Sequence, residues 1–277
     1  MTETKNRVAI ARAKPGDRPH MPPQRPQPPR CAHWARGGLI AGAAAGLAVA
    51  HAGPGITALR TVRLALFPGL AGLGDDGHVA LTFDDGPDPA ATPLFLDVLR
   101  DRGVRATFFL LGSQISRSPR LAADIADAGH EIGVHGWRHR YLPLRGPVAT
   151  HADLSSTQEI IVATAGIRPT LFRPPYGVLS TAALVAARRL DLTPVLWSAW
   201  GKEWTPGSTP ASVFATLAGD LGGGATVLLH DSDNTSPDGS WRAGLGALTR
   251  LLDECDRRGL RVGPLGEHGP RWHRPPS

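Results

Sequence analysis

Cysteine is scarce in this chain. Cys31 and Cys255 are the two present among 277 residues, and they lie far apart. No CxxC spacing exists, which excludes a cysteine-built metal site, and a disulfide between the two is not expected. Cysteine usage leaves the compartment open. Long apolar runs are lacking too. Residues 37–59, GGLIAGAAAGLAVAHAGPGITAL, carry no formal charge, but they are mostly Ala and Gly. His51 interrupts them and Pro54 breaks them short of the roughly 20 apolar residues that a membrane span needs. The stretch reads either as a signal-peptide core, with an A-x-A site at Ala48-Val49-Ala50, or as an Ala-rich helix. In the first case the basic tail before it stays cytoplasmic.

The body of the chain also lacks an excess of either charge. The net charge is +6, and residues 1–36 hold eight Lys or Arg against two acids, so residues 37–277 balance at 22 and 22. A global field that could hold a polyanion is therefore absent, and the basic tail has a single aromatic, Trp34, and no interleaved series, so nucleic acid is not expected as a partner. No internal repeat is seen. The tail, with seven prolines between Pro15 and Pro29, cannot bury enough apolar area to order itself.

From about His78 the chain alternates short β-rich runs with amphipathic stretches. The runs are VALTF, ATFFLL, EIGVH, LFRPP, PVLWS, TVLLH and LRVGPL; helical segments such as ATPLFLDVLRDRG and SPRLAADIADAG end in Gly, a C-cap signal. At 42% hydrophobic and 19% charged the composition is globular. Regular alternation predicts parallel strands with helices outside. Six or seven strands in about 185 residues suit a small, incomplete (β/α) barrel. The expected organisation is a disordered basic tail (1–36), an apolar signal or anchor segment (37–60), one catalytic domain (77–265) and a disordered C-terminal tail (266–277).

In such folds active sites gather at the carboxyl ends of strands. The residues just past the runs are Asp84 and Asp85, His135 and His139, Arg173 and Tyr176, Trp197 with Glu203 and Trp204, and His230 with Asp231. Each alone is weak: Asp-Asp-Gly is an ordinary turn and a lone His is usually structural. Five such positions together point to chemistry. Two imidazoles four residues apart and one carboxylate make a three-ligand site for a divalent transition metal, with a position open for water. The second carboxylate of the Asp84-Asp85 pair is then free to act as general base. His230, from another strand end, suits a general acid.

These residues, in this order, resemble the NodB-homology polysaccharide deacetylases, carbohydrate esterase family four, over roughly residues 78–262. The resemblance implies a distorted (β/α) barrel that removes acetyl groups from N-acetylated sugars of a polysaccharide or oligosaccharide. It implies Asp84 of TFDDG as general base, with Asp85, His135 and His139 as ligands of a divalent metal, zinc first, with cobalt, nickel or manganese as alternatives. It further implies Arg173 of RPPY orienting the base and the Tyr176 N–H helping to hold the oxyanion. His230 is the implied general acid, and Leu228 the implied wall of an acetyl-methyl pocket. Glu203, where relatives have Asp, is expected to tune His230. At least one of Trp197, Trp200 and Trp204 is expected to stack on a sugar, Trp200 standing where relatives often carry an acid. Gly136 replaces the usual Ser or Thr of the HxxxH motif, which predicts a looser ligand loop.

Other polar residues receive bland readings: His130 as a helix-end residue, His151, His268 and His273 as surface, Asp88 as a turn residue, and Asp231 ahead of Asp233 as a neighbour of the site. Two alternatives are carried. One is an amidohydrolase or esterase for a small non-sugar acyl substrate; the other is a catalytically silent cell-wall-binding module. The family's envelope substrates point to the outer face of the membrane, with membrane contact through the N-terminal segment.

Overall fold

The computed structural model describes residues 43–269. The chain divides into two units, residues 1–44 and 45–277. The basic tail, the prolines of residues 15–29 and His273 lie outside the described residues. All elements below belong to the second unit, apart from the first two described residues of α1.

All sheet pairings are parallel, and the strands run β5-β4-β3-β2-β1-β7-β6, with β8 also on β1. The strands are β1 (His78–Asp84), β2 (Thr107–Leu110), β3 (Glu131–Val134), β4 (Leu171–Phe172), β5 (Thr193–Pro194), β6 (Ala199–Trp200), β7 (Thr226–His230) and β8 (Arg261–Gly263). The helices are α1 (residues 43–52), α2 (Arg60–Leu66), α3 (Thr92–Asp101), α4 (Gly112–Arg117), α5 (Pro119–Asp127), α6 (Pro147–Ala165), α7 (Thr181–Arg189), α8 (Pro210–Asp220) and α9 (Trp241–Arg257). This is the expected α/β architecture, a curled parallel sheet forming a half-barrel.

Strand β1 is buried at all seven positions, as a central parallel strand covered on both faces must be. Its alternation sorts the two faces. Val79, Leu81 and Phe83 join the main core with Phe95, Phe108 and the helices, while Ala80 packs with Phe109, Leu171, Val195 and Leu265 in a smaller cluster. Thr82 and Asp84 share the register of Ala80, which puts the last residue of the strand on the barrel side.

The run PVLWS differs from expectation. It is not one strand. Thr193–Pro194 pairs with β4, Ala199–Trp200 pairs with β7, and residues 195–198 cross the gap between the two edges. Carbonyls in a crossing segment have no ladder partner and need another donor. Two buried arginines supply it: Arg173 donates to Val195 O (3.3 Å) and Leu196 O (2.9 Å), and Arg63 donates to Trp197 O through Nε (3.1 Å) and Nη2 (2.9 Å). Arg63 also donates to Thr57 O and Ala58 O, so α2 and the 3-10 turn before it (Gly53–Ala58) are fastened to the barrel seam.

The folded unit is thus wider than residues 77–265. Arg63 and Ala71 are buried at its start. At its end a 3-10 turn, Leu265–Glu267, leads into His268, which is fully buried. His268 therefore is not a surface residue: its Nδ1 lies 2.7 Å from His78 Nδ1, and its Nε2 faces Gly72 O and Gly224 O.

Candidate active site

The carboxyl ends of β1, β3, β4 and β7 bring Asp84, Asp85, His135, His139, Arg173 and His230 together. Asp84 and His230 are register partners on adjacent strands β1 and β7. Asp84 is buried and its Oδ1 accepts from Arg173 Nη1 at 2.8 Å. The same Nη1 donates to Thr82 Oγ1 at 2.7 Å, and the guanidinium lies 4.1 Å from the centre of the Phe109 ring. Arg173 has no exposed surface. Four polar atoms (Val195 O, Leu196 O, Thr82 Oγ1 and Asp84 Oδ1) and the Phe109 ring hold its guanidinium, so the Asp84 carboxylate has a fixed orientation.

At Asp85 the backbone turns into the left-handed region, with φ 76°. A non-glycine residue stays there only when its surroundings demand it. The turn takes Asp85 away from its neighbour and towards the histidines. Its Oδ1 lies 3.4 Å from both His135 Nε2 and His139 Nε2. One ligand atom from each of the three residues falls within 4.8 Å of the others. Asp85 Oδ1 is buried without a hydrogen-bond partner, as is His139 Nδ1. Asp85 Oδ2 is not: it accepts from Thr235 Oγ1 at 2.7 Å.

His135 Nδ1 is 2.8 Å from the carbonyl of Arg173. A carbonyl can only accept, so Nδ1 carries the proton and Nε2 presents its lone pair to the cluster, the tautomer that metal-ligating histidines adopt. Burial depresses the His135 pKa, but the nearby Asp84 and Asp85 carboxylates, with the Arg173 carbonyl on Nδ1, outweigh it and the net shift is upward. The position favours a positive charge. His139 goes the other way: burial pushes it down to about 4 against the pull of Asp85, so it is a neutral imidazole. Burial pushes Asp85 up, yet the close approach of His135 and the charges of both histidines hold it well below the usual carboxylate range. One carboxylate and two imidazole nitrogens, all buried and converging on an unpartnered oxygen, fit a divalent cation.

The loop between the two histidines carries Gly136, at φ +88°. A Cβ there would stand 2.9 Å from Asp153 Oδ2. That oxygen accepts from Trp137 N–H at 2.8 Å. Asp153, on α6, thus ties down the loop by a bond that sequence inspection did not suggest.

His230 Nδ1 lies 2.8 Å from Glu203 Oε1, which also accepts from the His230 backbone N–H. Burial lowers the imidazole pKa, but the charge and hydrogen bond of Glu203 overcome it and lift His230 to about 9. Nδ1 is engaged, so Nε2 is the proton-carrying atom left for a substrate. The Trp204 ring stands edge-on to His230, 5.3 Å between centres. Trp204 is half-buried, as is Trp200.

The remaining residues sort as follows. Tyr176 is exposed, with φ 60°, in a 3-10 turn between Pro175 and Gly177, and its ring meets His139 edge-on at 4.3 Å. Leu228 is buried in a small apolar cluster with Leu196 and Trp197. Trp197 departs from the expected stacking role. It is 7% exposed and sits between two guanidinium groups, Arg63 at 5.3 Å and Arg173 at 5.8 Å from its ring. It packs behind Arg173 and is buried away from the open face of the cluster. Asp231 is fully buried, accepts from Thr92 Oγ1 at 2.6 Å, and burial raises its pKa to about 7. Its carboxylate would lie 2.4 Å from any Cβ at residue 86, which explains the glycine of DDGP. Asp233 holds a loop turn by accepting from Gly239 N–H, and Asp88 holds the turn ahead of α3 by accepting from Ala90 and Ala91 N–H. His130 is buried and accepts from Ala106 N–H.

Thr82, Thr235 and Asp153 were not foreseen. Thr82 could have been: it stands two residues before Asp84, on the same face of the strand. Thr235 and Asp153 lie in a loop and a helix with no periodic signal.

A parallel half-barrel with a buried Asp/His/His cluster at its strand ends, compatible with a divalent metal, defines the class. Residues 72–195 match the family model for polysaccharide deacetylases. A peptidoglycan-N-acetylglucosamine deacetylase of Bacillus cereus is 32% identical over 191 residues, covering 68% of this chain and 86% of that protein. The chain belongs to the polysaccharide deacetylase family. The peptidoglycan-N-acetylglucosamine deacetylase PgdA of Listeria monocytogenes is 35% identical over 159 residues, 57% of this chain, and this chain spans 33% of its length. Among solved structures, the Bc1960 peptidoglycan N-acetylglucosamine deacetylase superposes with a TM-score of 0.66 at 31% identity, covering 71% of this chain and 90% of that one.

Proposed function

We propose that the protein hydrolyses N-acetyl groups from amino sugars of a polysaccharide or oligosaccharide, leaving acetate and a free amine. The observation that carries this is the pairing, on adjacent strands, of an arginine-held carboxylate (Asp84) with a protonated imidazole (His230), beside the Asp85/His135/His139 cluster. Asp85, His135 and His139 would hold a divalent cation, zinc by this ligand set with cobalt, nickel or manganese as alternatives, and when bound it would supply Lewis acidity. Asp84, oriented by Arg173, accepts the proton of the attacking water. The Tyr176 N–H donates to the oxygen on which charge develops, usually a large contribution. His230, kept protonated by Glu203, gives its Nε2 proton to the departing nitrogen. Leu228 lines the acetyl methyl pocket, and Trp204 faces the sugar.

A small non-sugar acyl substrate is the second reading. The half-buried rings of Trp200 and Trp204, with centres 5.3 Å apart, make an apolar floor that favours it. Acetate release from N-acetylglucosamine oligomers by metal-stripped full-length protein, with and without zinc or cobalt, tests the first reading. Metal-dependent release that Asp84→Asn abolishes supports it; release from small acyl amides alone moves the assignment to the second.

The site of action in this reading is the cell envelope. Deacetylases named for peptidoglycan among the relatives support it. Among the described residues no helix is long and apolar enough to cross a membrane. Residues 45–50, uncharged, are all exposed, as are Ile56, Leu59 and Leu66. This apolar strip next to a basic tail in sequence suits contact with an anionic membrane surface.

A further inference from the structure

Deacetylation as described uses one sugar and one acetyl group. The surface beside it carries a feature that this chemistry does not need. The loop that bears the two histidines reads HGWRHR, and Trp137 and Arg138 within it line a groove of about 600 Å³ together with Ser113, Ser116 and Arg117 of α4 and with Asn234. A second groove, of about 410 Å³, is lined by the same tryptophan together with Arg138, Arg140 and Arg145. Trp137 and Arg138 border both.

The first groove adjoins the reacting centre. Arg138 is the neighbour in sequence of His139. Asn234 is the neighbour of Thr235, which hydrogen-bonds Asp85, and Asn234 Oδ1 itself accepts from Gln114 Nε2 at 2.9 Å. The wall is rigid. Trp137 donates its backbone N–H to Asp153, its carbonyl accepts from Ser113 N–H at 2.9 Å, and its ring packs over Gly112, where a Cβ would come within 2.3 Å of it.

The charges are uncompensated. Among the described residues no carboxylate is paired with Arg117, Arg138 or Arg140. The one acid lining either groove, Asp153, is committed to Trp137 N–H and faces Arg145 at 3.6 Å. The basicity is not spillover from the whole, because residues 37–277 carry equal numbers of acidic and basic residues. Guanidinium groups beside a half-exposed indole match a sugar that bears an anion: the indole takes the ring face, and the planar forks take a carboxylate.

We propose that the groove of Trp137, Arg117 and Arg138 is a subsite for a carboxylate carried by the sugar next to the one deacetylated. The proposal rests on the deacetylase reading for the reaction, but the binding it describes can be measured apart from turnover. The substrate is then an acidic glycan, and neutral N-acetylglucosamine oligomers are poorer substrates.

The test compares the disaccharide of N-acetylglucosamine and N-acetylmuramic acid with its methyl ester, which removes the charge and adds one methyl group. In the zinc-loaded full-length protein at low salt, kcat/KM is expected to favour the acid about tenfold, the size of one charge-assisted hydrogen bond. The preference should shrink as salt is raised. Arg117→Gln and Arg138→Gln should each move the acid-to-ester ratio towards one, through KM rather than kcat. Arg117 lies on α4, off the ligand loop, so it reports on the groove without touching His139. Equal rates for acid and ester, or a ratio that both variants preserve, overturns the proposal. If neither compound releases acetate although zinc is taken up, the deacetylase reading fails. Calorimetric binding of the two compounds then decides the groove: tighter binding of the acid sustains it, and equal or absent binding removes it.

Discussion

The hydroxyl of Thr235 lies 2.7 Å from Asp85 Oδ2, across 150 residues of sequence. It engages one oxygen of the carboxylate and leaves the other, Oδ1, facing both histidines without a partner. A threonine on the loop after β7 thereby selects which oxygen of Asp85 a cation would meet. Thr235→Val keeps the shape and removes the donor, and should weaken zinc binding by about 10- to 100-fold, as loss of a ligand's supporting hydrogen bond generally does. Thr235→Ser should restore it. Calorimetric titration of the metal-stripped protein reads this directly, and unchanged affinity in the valine variant would show that the hydroxyl has no such role.

Glu203 and His230 set a pH limit. A general acid acts while protonated, so activity should fall as pH rises through the His230 pKa of about 9. Glu203→Gln removes the charge that raised that pKa and leaves the burial that lowers it. The alkaline limb of kcat/KM should therefore move to lower pH. Glu203→Asp should keep the limb near its place only if the shorter side chain still reaches Nδ1. A limb that stays put in the glutamine variant would remove His230 from the acid role.

Arg63 is far from the reacting atoms yet closes the barrel seam. Its guanidinium satisfies Trp197 O, Thr57 O and Ala58 O, and it stacks near the Trp197 ring that backs Arg173. Arg63→Met leaves buried carbonyls unpaired, at about 1–3 kcal/mol each. Urea unfolding should show a lower midpoint with an unchanged slope, the mark of lost native stability. A midpoint equal to wild type would mean that other groups satisfy these carbonyls.

The carboxyl-end rule located most of the site because strand alternation is a local signal, and the residue after each apolar run can be read directly. Asp84, Asp85, His135, His139, Arg173 and His230 all converge, as that rule anticipates. What local pattern cannot show is which residues meet after the chain has curled. Thr235 reaches Asp85 from a loop without periodicity, and Asp153 reaches Trp137 from α6. Trp197 looked like its neighbours Trp200 and Trp204, but the crossing between the two sheet edges turns it inward between two arginines. The run PVLWS looked like one strand because hydropathy is blind to which edge each end pairs with. His268 looked like tail because it stands near the chain end, whereas its partner His78 is 190 residues away.

That histidine pair sets a further limit, on stability. His268 Nε2 faces two carbonyls, which only accept, so it carries the proton and its Nδ1 accepts from His78 Nδ1–H. Both rings are neutral and buried. Burial, with the adjoining His78 ring, pushes His268 down to about 4; burial, with the charge of Arg261, also lowers His78. In the unfolded chain both return to about 6.5. Between these values the unfolded state binds more protons, so the pair's contribution is complete above about pH 6.5 and is lost as pH falls towards 4. Asp231 acts in the opposite sense over part of the same range, since its folded pKa of about 7 lies above the unfolded one. The difference between wild type and His268→Gln therefore isolates the pair. The variant should melt lower than wild type at pH 7, and the gap should narrow steadily as pH is taken from 6.5 to 4.5. A gap that does not change with pH would assign the loss to packing and not to protonation.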